Sequence, residues 1–562
     1  MLFSYPGKYN LFLDNGFMNR HFRILLSVLW LGLFSTSHAQ SFMVIGEYEH
    51  QEKSCSIWDY RTGYDSISAK VVASLSRETS VTILYKTTGA SYDTLGILSR
   101  IAYYGGVADS INFRGAQYDN ITLGSFGPQS LYVKTAGLTS RSLVSFDPLS
   151  GVSAIDQTLP DQLAAILDQP LYRAKINLDN NDLVTDGVGD AWISETVLLQ
   201  NPGLSSTSIT DTISKYLGVN QVHFVTPVFS GLTDSYIKLS QMVHFVDAGT
   251  AIVASLPANH SESPVLDTLA NRISRLIGGM SEPYKVYRIP IAPLDNGSYP
   301  TAASQPFRSY TNIIIRNKTV LIPSFGTNSD ETAREIIAML LPQYEVVQVE
   351  SKLINQDFNL LNNYSSCIIP NQIGRLIHQP VRGVVSYAES FYFRVRPIGY
   401  IYADSMYMYY KKPSDTSFIR KRLLPGCPSF IGYFENLSPN DTISYFLSTW
   451  SNLYQITVPL TAPEGYYTFF MDNYTGEKEI VDCQTELYPN PSNGNFAIRF
   501  DENQAFPLEI TIIDSEGKLI HKESVQHSVK DYSVSLEAPS GIYIFRIKDK
   551  KRFTNHKILI NK

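Results

Sequence analysis

Side chains able to do covalent chemistry are few here, and the most conspicuous is Cys367, in Tyr364-Ser365-Ser366-Cys367-Ile368-Ile369-Pro370. A thiolate is a strong nucleophile, and a neighbouring cation lowers a thiol's pKa. Standing alone beside two isoleucines, a cysteine reads as an inert buried residue rather than a reactive one. The other three, Cys55, Cys427 and Cys483, are scattered. Their spacing gives neither a metal-type pair nor a dense disulfide frame. The remaining candidates lie in polar loops: Ser125 in 118–128, Asp186 in 180–187, Tyr236 and Lys238 in Tyr236-Ile237-Lys238-Leu239, and Asn312 in 306–312. Asp119 and Asp234 add acids to the same loops, whereas His223 and His244 fall in alternating patterns and read as sheet residues. No phosphate-cradling or metal motif is present, so no cofactor is expected.

Something must bring these loops together. From about residue 41 to 370 one theme recurs five times: a helix, a strand, then a polar loop. Residues 95–104 feed 110–113, 159–167 feed 172–178, 209–217 feed 222–225, 265–276 feed 286–290, and 333–341 feed 345–349. The fifth unit is the clearest, with Ile336, Ile337, Leu340 and Leu341 at helical spacing behind Asn328-Ser329-Asp330-Glu331. Short strands alternating with helices give an α/β fold. Periodicity alone leaves a doubly wound sheet and a radial repetition of units both open.

The loops carry a family resemblance. Ser125-Phe126-Gly127-Pro128, Asp186-Gly187, Tyr236-Ile237-Lys238-Leu239, Tyr287-Arg288-Ile289-Pro290, Tyr310-Thr311-Asn312 and Ser366-Cys367 stand where similar segments occur in the peptidyl-arginine and agmatine deiminases of the guanidine-modifying superfamily. The resemblance implies a five-module (ββαβ-type) pentein α/β propeller whose loops converge on a central axis. It places Cys367 at the nucleophile position and gives Asp186 and Asn312 substrate-binding positions. It also implies losses. Ser125 stands where the family has a guanidinium-binding aspartate, Tyr236 where it has the general-acid histidine, Lys238 where it has the second aspartate, and Ser366 where a histidine precedes the cysteine.

A guanidinium is held by charge-assisted, often bidentate carboxylate pairs. A lysine in place of one carboxylate repels the cation by about 4 kcal/mol at 4 Å and an effective dielectric of 20. A tyrosine, with an ordinary pKa near ~10, is poorly matched to neutral acid–base work. The expectation is a family protein with impaired arginine-to-citrulline chemistry, offered a peptide or small guanidino ligand. One alternative is an active deiminase or thiol hydrolase, with Lys238 supporting a Cys367 thiolate or with carboxylates drawn from Asp119, Asp186 or Asp234. Another is a surface binding or adhesion protein.

Composition sets the remaining bounds. A chain of 562 residues exceeds what one core supports. Its charged fraction of 17% is low, with abundant Tyr and Phe, as in β-rich secreted material. A net charge of −6 argues against a nucleic-acid partner. Arg23 and the apolar run 24–34, closed by Ser37-His38-Ala39, read as a cleaved signal peptide over 1–39 with its start at Met18, not as a membrane anchor. The α/β unit is expected over 41–375. Aromatic alternating segments at 391–395, 406–410, 443–447 and 465–470 predict an immunoglobulin-like β-sandwich over 376–475. The Leu487-Tyr488-Pro489-Asn490-Pro491 and Ser540-Gly541-Ile542-Tyr543 segments resemble the C-terminal sorting domain of the type IX secretion pathway of Bacteroidetes, covering 487–562 as a small β-sandwich. That resemblance implies the type IX machinery as a partner and passage through the periplasm to the outer-membrane surface or the medium.

Overall fold

The computed structural model describes residues 40–86, 93–230, 237–388, 390–399, 401–426, 428–451, 454–472, 486–490, 492–500, 507–514, 519–527, 531–548 and 553–561. The expected signal segment, Asp234, Tyr236, Cys427 and Cys483 lie outside them.

Among the described residues, five small sheets make up the first part of the chain, and four share one construction. Two strands pair as an antiparallel hairpin, and a helix then returns the chain to a third strand lying parallel to the second. In one sheet, Ile314–Arg316 and Thr319–Ser324 form the hairpin, helix Ser329–Leu340 crosses over, and Glu345–Glu350 pairs in parallel. The crossover is long enough for a parallel return, which a tight turn cannot make. Helix Ser206–Leu217 shows why such helices form here. Ser205 caps it by accepting from the Ser208 amide, and Ile209, Ile213 and Leu217 are buried one turn apart. It stops at Gly218, whose φ of 70° and closeness to the Phe42 carbonyl exclude a side chain.

The fifth sheet joins the two ends of this part. Strand Ser365–Ile368 pairs antiparallel with Lys53–Ile57, which continues in parallel to Ser80–Lys86 and Ile111–Ala116. The contact is reinforced at Asn317, which takes φ of 50° in the hairpin turn and hydrogen-bonds both backbone groups of Gln51. All five expected helices are present, with their bounds shifted by a few residues at most: Thr94–Tyr103, Leu159–Leu167, Ser206–Leu217, Ser263–Arg275 and Ser329–Leu340. Helix Asp65–Ser76, with nine buried residues, was not expected from the sequence.

The chain beyond residue 373 is sheet-rich. A three-stranded sheet and a six-stranded sheet face one core containing Phe393, Val395, Met408, Phe434, Tyr445 and Phe469. Strand Gly374–His378 belongs to the first of these, so the division expected at 375/376 falls inside a strand. The tail has a three-stranded and a four-stranded sheet over a core that includes Phe496, Ile510 and Phe545. Among the described residues no helix is long and apolar enough to cross a membrane.

The sheet-rich region beyond residue 373 is fastened to the α/β part by buried charge. Arg382 pairs with Asp247 at 2.5 Å, donates to Thr250 and to the Leu340 carbonyl, and lies over the Tyr467 ring. Arg375 pairs with Glu49 at 2.6 Å.

Candidate functional site

In every sheet of the α/β part the same kind of loop follows the last, parallel-paired strand, and the five loops meet. Each contributes at least one neutral polar side chain to a hydrogen-bonded ring, which one backbone amide completes. Ser125 donates to Asn363 Oδ1 (3.1 Å), and Asn181 Nδ2 donates to Ser125 Oγ (2.9 Å) and to Asn363 Oδ1 (3.1 Å). Ser240 donates to Asn181 Oδ1 (3.1 Å), and Asn312 Nδ2 donates to Ser240 Oγ (3.1 Å). The Asn362 backbone N–H closes the circuit onto Asn312 Oδ1 (3.1 Å), and the Asn362 side chain donates to Asn181 Oδ1 (2.5 Å). Ser125, Asn181, Ser240, Asn312 and Asn363 are each 7% exposed or less. Buried polar groups need partners, and here they supply one another.

Charge is kept beside this ring in a closed pair of contacts. Lys238, at the start of the short helical turn Leu239–Gln241, places its ammonium 2.9 Å from Asp182 and 3.1 Å from Asp179. Both carboxylates come from the loop that carries Asn181 and are nearly or fully buried. The ammonium expected to repel a cationic ligand is therefore neutralised by two acids of its neighbour loop.

Cys367 is placed elsewhere. It lies on strand Ser365–Ile368 opposite Ser54, half-buried, with Arg316 and Glu47 as its charged surroundings. Burial raises its thiol pKa, and the opposing influence of Arg316 is smaller. The charges that act on the thiol are Arg316 and Glu47, while Lys238 is engaged with Asp179 and Asp182. The residue that this segment sends into the ring is Asn363, four positions earlier.

Asp186 also has a different role from the one the resemblance implied. Its Oδ1 accepts from the amides of Val188, Gly189 and Asp190, each at 2.9 Å, so it caps its own turn. Its Oδ2 meets the Tyr284 hydroxyl, and burial raises its pKa. Ser125 and Asn312 are brought together in the ring, as the loops suggested. Asn181, Ser240, Asn363 and the acids Asp179 and Asp182 were not singled out. The available signal was a serine or asparagine in every one of the five loops.

Next to the ring opens a cavity of about 490 Å³. Ser125 and Asn363 form part of its wall, with Trp58, Tyr118, Asp119, Lys86 and the pair Arg61 and Asp357 around them. Cys367 does not line it. Among the described residues no group of acids, histidines and cysteines is arranged to hold a metal ion.

Repeated α/β sheets whose loops converge on one polar centre define a mixed α/β, pentein-like protein. The fold of agmatine deiminase from Enterococcus faecalis matches it with a TM-score of 0.50 at 18% identity, covering 59% of this chain and 97% of that one. The sequence model of the Porphyromonas-type peptidyl-arginine deiminases matches residues 43–358, more than half of the chain, and the protein belongs to that family. A putative agmatine deiminase of a Marinomonas species is 22% identical over 217 residues, 35% of this chain and 58% of that one. The agmatine deiminase of Medicago truncatula is 24% identical over 218 residues, with the same two shares, 35% and 58%. The chain thus spans just under three fifths of the length of these curated relatives. The family match ends before Asn363 and Cys367. Residues 486–561 match the secretion system C-terminal sorting domain, which implies a secreted or surface location.

Proposed function

We propose that this is a secreted or surface-held member of the deiminase family that has lost efficient arginine-to-citrulline chemistry. The observation that carries the reading is the ring: neutral serine and asparagine side chains from all five loops, hydrogen-bonded to one another and, at Asn312, to the Asn362 backbone N–H, at the point where the loops meet. A guanidinium carries a full positive charge and needs carboxylates to replace its water. The ring offers amides and hydroxyls already engaged with one another, and the nearby acids Asp179 and Asp182 hold Lys238. The nucleophile position assigned to Cys367 is occupied by a thiol whose burial disfavours the reactive thiolate. In this reading the five sheets are the modules of the propeller, the sheet-rich region that begins with strand Gly374–His378 is the immunoglobulin-like sandwich, and the tail directs type IX export.

The test is citrulline release from peptidyl-arginine and from agmatine, with Cys367→Ala as control. The expected result is no Cys367-dependent product. Cys367-dependent citrulline at ordinary enzymatic rates refutes the proposal. A second reading, ligand binding at the surface, is favoured by the cavity beside the ring and its mixed lining of aromatic, acidic and basic groups.

A further inference from the structure

The cavity wall contains a guanidinium already held as a ligand would be. Arg61 donates through Nε to Asp59 Oδ1 (3.0 Å) and through Nη2 to Asp59 Oδ2 (2.7 Å), a bidentate fork on one carboxylate. Its Nη1 donates to Asp357 Oδ2 (2.7 Å), so a second carboxylate closes the other edge. The flat face lies 3.8 Å from the centroid of the Tyr64 ring. The carboxylates are themselves fixed, since the Tyr64 hydroxyl donates to Asp357 (2.6 Å) and the Tyr364 hydroxyl donates to Asp59 (3.0 Å). Two planar acceptors, an aromatic face and hydroxyls that orient the acceptors are the complete set by which proteins recognise guanidinium groups. Asp59 and Asp357 come from loops almost three hundred residues apart, so the set is assembled by the fold and not by local sequence.

We infer that the cavity contains a guanidinium-recognition site formed by Asp59, Asp357 and Tyr64, and that the chain's own Arg61 is its resident occupant, closing the site to arginine side chains from outside. The tether makes this closure effective. Arg61 is two residues from Asp59, so its effective concentration at the site far exceeds that of a free ligand, and an incoming arginine competes poorly. Asp59 is 2% exposed, whereas Arg61 and Asp357 are 47% and 42% exposed. The site therefore has a buried floor and an open edge facing the cavity. This inference adds a reason for the weak arginine chemistry proposed above and does not depend on the state of Cys367.

Removing the occupant should unmask the site. With the full chain, Arg61→Ala is expected to bind methylguanidinium at least tenfold more tightly than the wild type by calorimetry. Its thermal midpoint should also rise with millimolar methylguanidinium. Methylammonium, of the same charge but without the planar fork, should do neither. Adding Asp357→Asn to Arg61→Ala should weaken methylguanidinium binding about tenfold. If Arg61→Ala does not fold unaided, Arg61→Gln keeps the bulk of the side chain and is read in the same way. A folded Arg61 variant that fails to bind methylguanidinium, or that binds it no better than the wild type, overturns the inference. Citrulline production by the wild type would refute the impaired-chemistry reading and leave this binding result unaffected.

Discussion

Lys238 offers the sharpest test of how the loops are held. Its ammonium is 2.9 Å from Asp182 and 3.1 Å from Asp179, so the two acceptor oxygens lie within about 6 Å of each other on either side of one cation. Lys238→Met removes the cation and leaves both carboxylates buried. At 6 Å and an effective dielectric of 20 their repulsion is about 3 kcal/mol. Breaking a buried pair by removing one partner generally costs about 3–5 kcal/mol, a large part of the ~5–15 kcal/mol that holds a domain folded. Lys238→Asp should be worse than Lys238→Met, because it adds a third carboxylate to the same few ångströms. This outcome is the opposite of a simple reversion, since the family resemblance puts an aspartate here. Urea unfolding followed by tryptophan fluorescence measures the loss, and calorimetry with an arginine-containing peptide measures any gained affinity. Adding Asp182→Asn to Lys238→Met should recover part of the stability by removing one of the two stranded charges. If Lys238→Asp folds with wild-type stability and grips the peptide, the electrostatic account of this centre is wrong.

Two further outcomes follow from buried groups outside the centre. Arg382→Met should cost about 3–5 kcal/mol by stranding Asp247, and calorimetry should resolve separate melting of the α/β part and of the sheet-rich part beyond residue 373. A single unshifted transition would contradict this. At Tyr284 one phenolic hydrogen faces two carboxyl oxygens, Asp186 Oδ2 and Asp190 Oδ2, both at 2.9 Å, while Asp190 Oδ1 meets His223 at 2.9 Å. The phenol shares its one hydrogen between the two carboxyls, and burial raises the Asp186 pKa. A raised carboxyl pKa means that the native state binds the extra proton, so this group's contribution declines as pH rises from the ordinary value of 3.8 through the folded one. Asp186→Asn should remove that dependence at a cost below about 1 kcal/mol, because the amide keeps the Oδ1 acceptor and donates to Tyr284. A loss of several kcal/mol, or an unchanged pH profile of urea stability, would contradict this account of Asp186.

Local sequence carried much of the architecture. Ile209, Ile213 and Leu217, with Ser205 ahead and Gly218 behind, specify their helix within a dozen residues. The five helix–strand repeats and the tail signature are equally local, because burial periodicity, caps and turns depend on near neighbours. Substitutions at Ser125 and Lys238 were visible as types, and their meaning was not. Whether Lys238 repels a ligand, activates Cys367 or pairs with Asp182 depends on which loops come together, 56 residues apart in the chain. Asn181 and Asn363 meet across 182 residues, and Arg61 meets Asp357 across 296. Cys367 illustrates the same division: its identity marked it as chemical, but a strand pairing four residues beyond Asn363 set it beside Arg316 and Glu47. Electrostatic and hydrogen-bond energies are decided by distances of a few ångströms and by exclusion of water, and those quantities exist only once the chain has closed on itself.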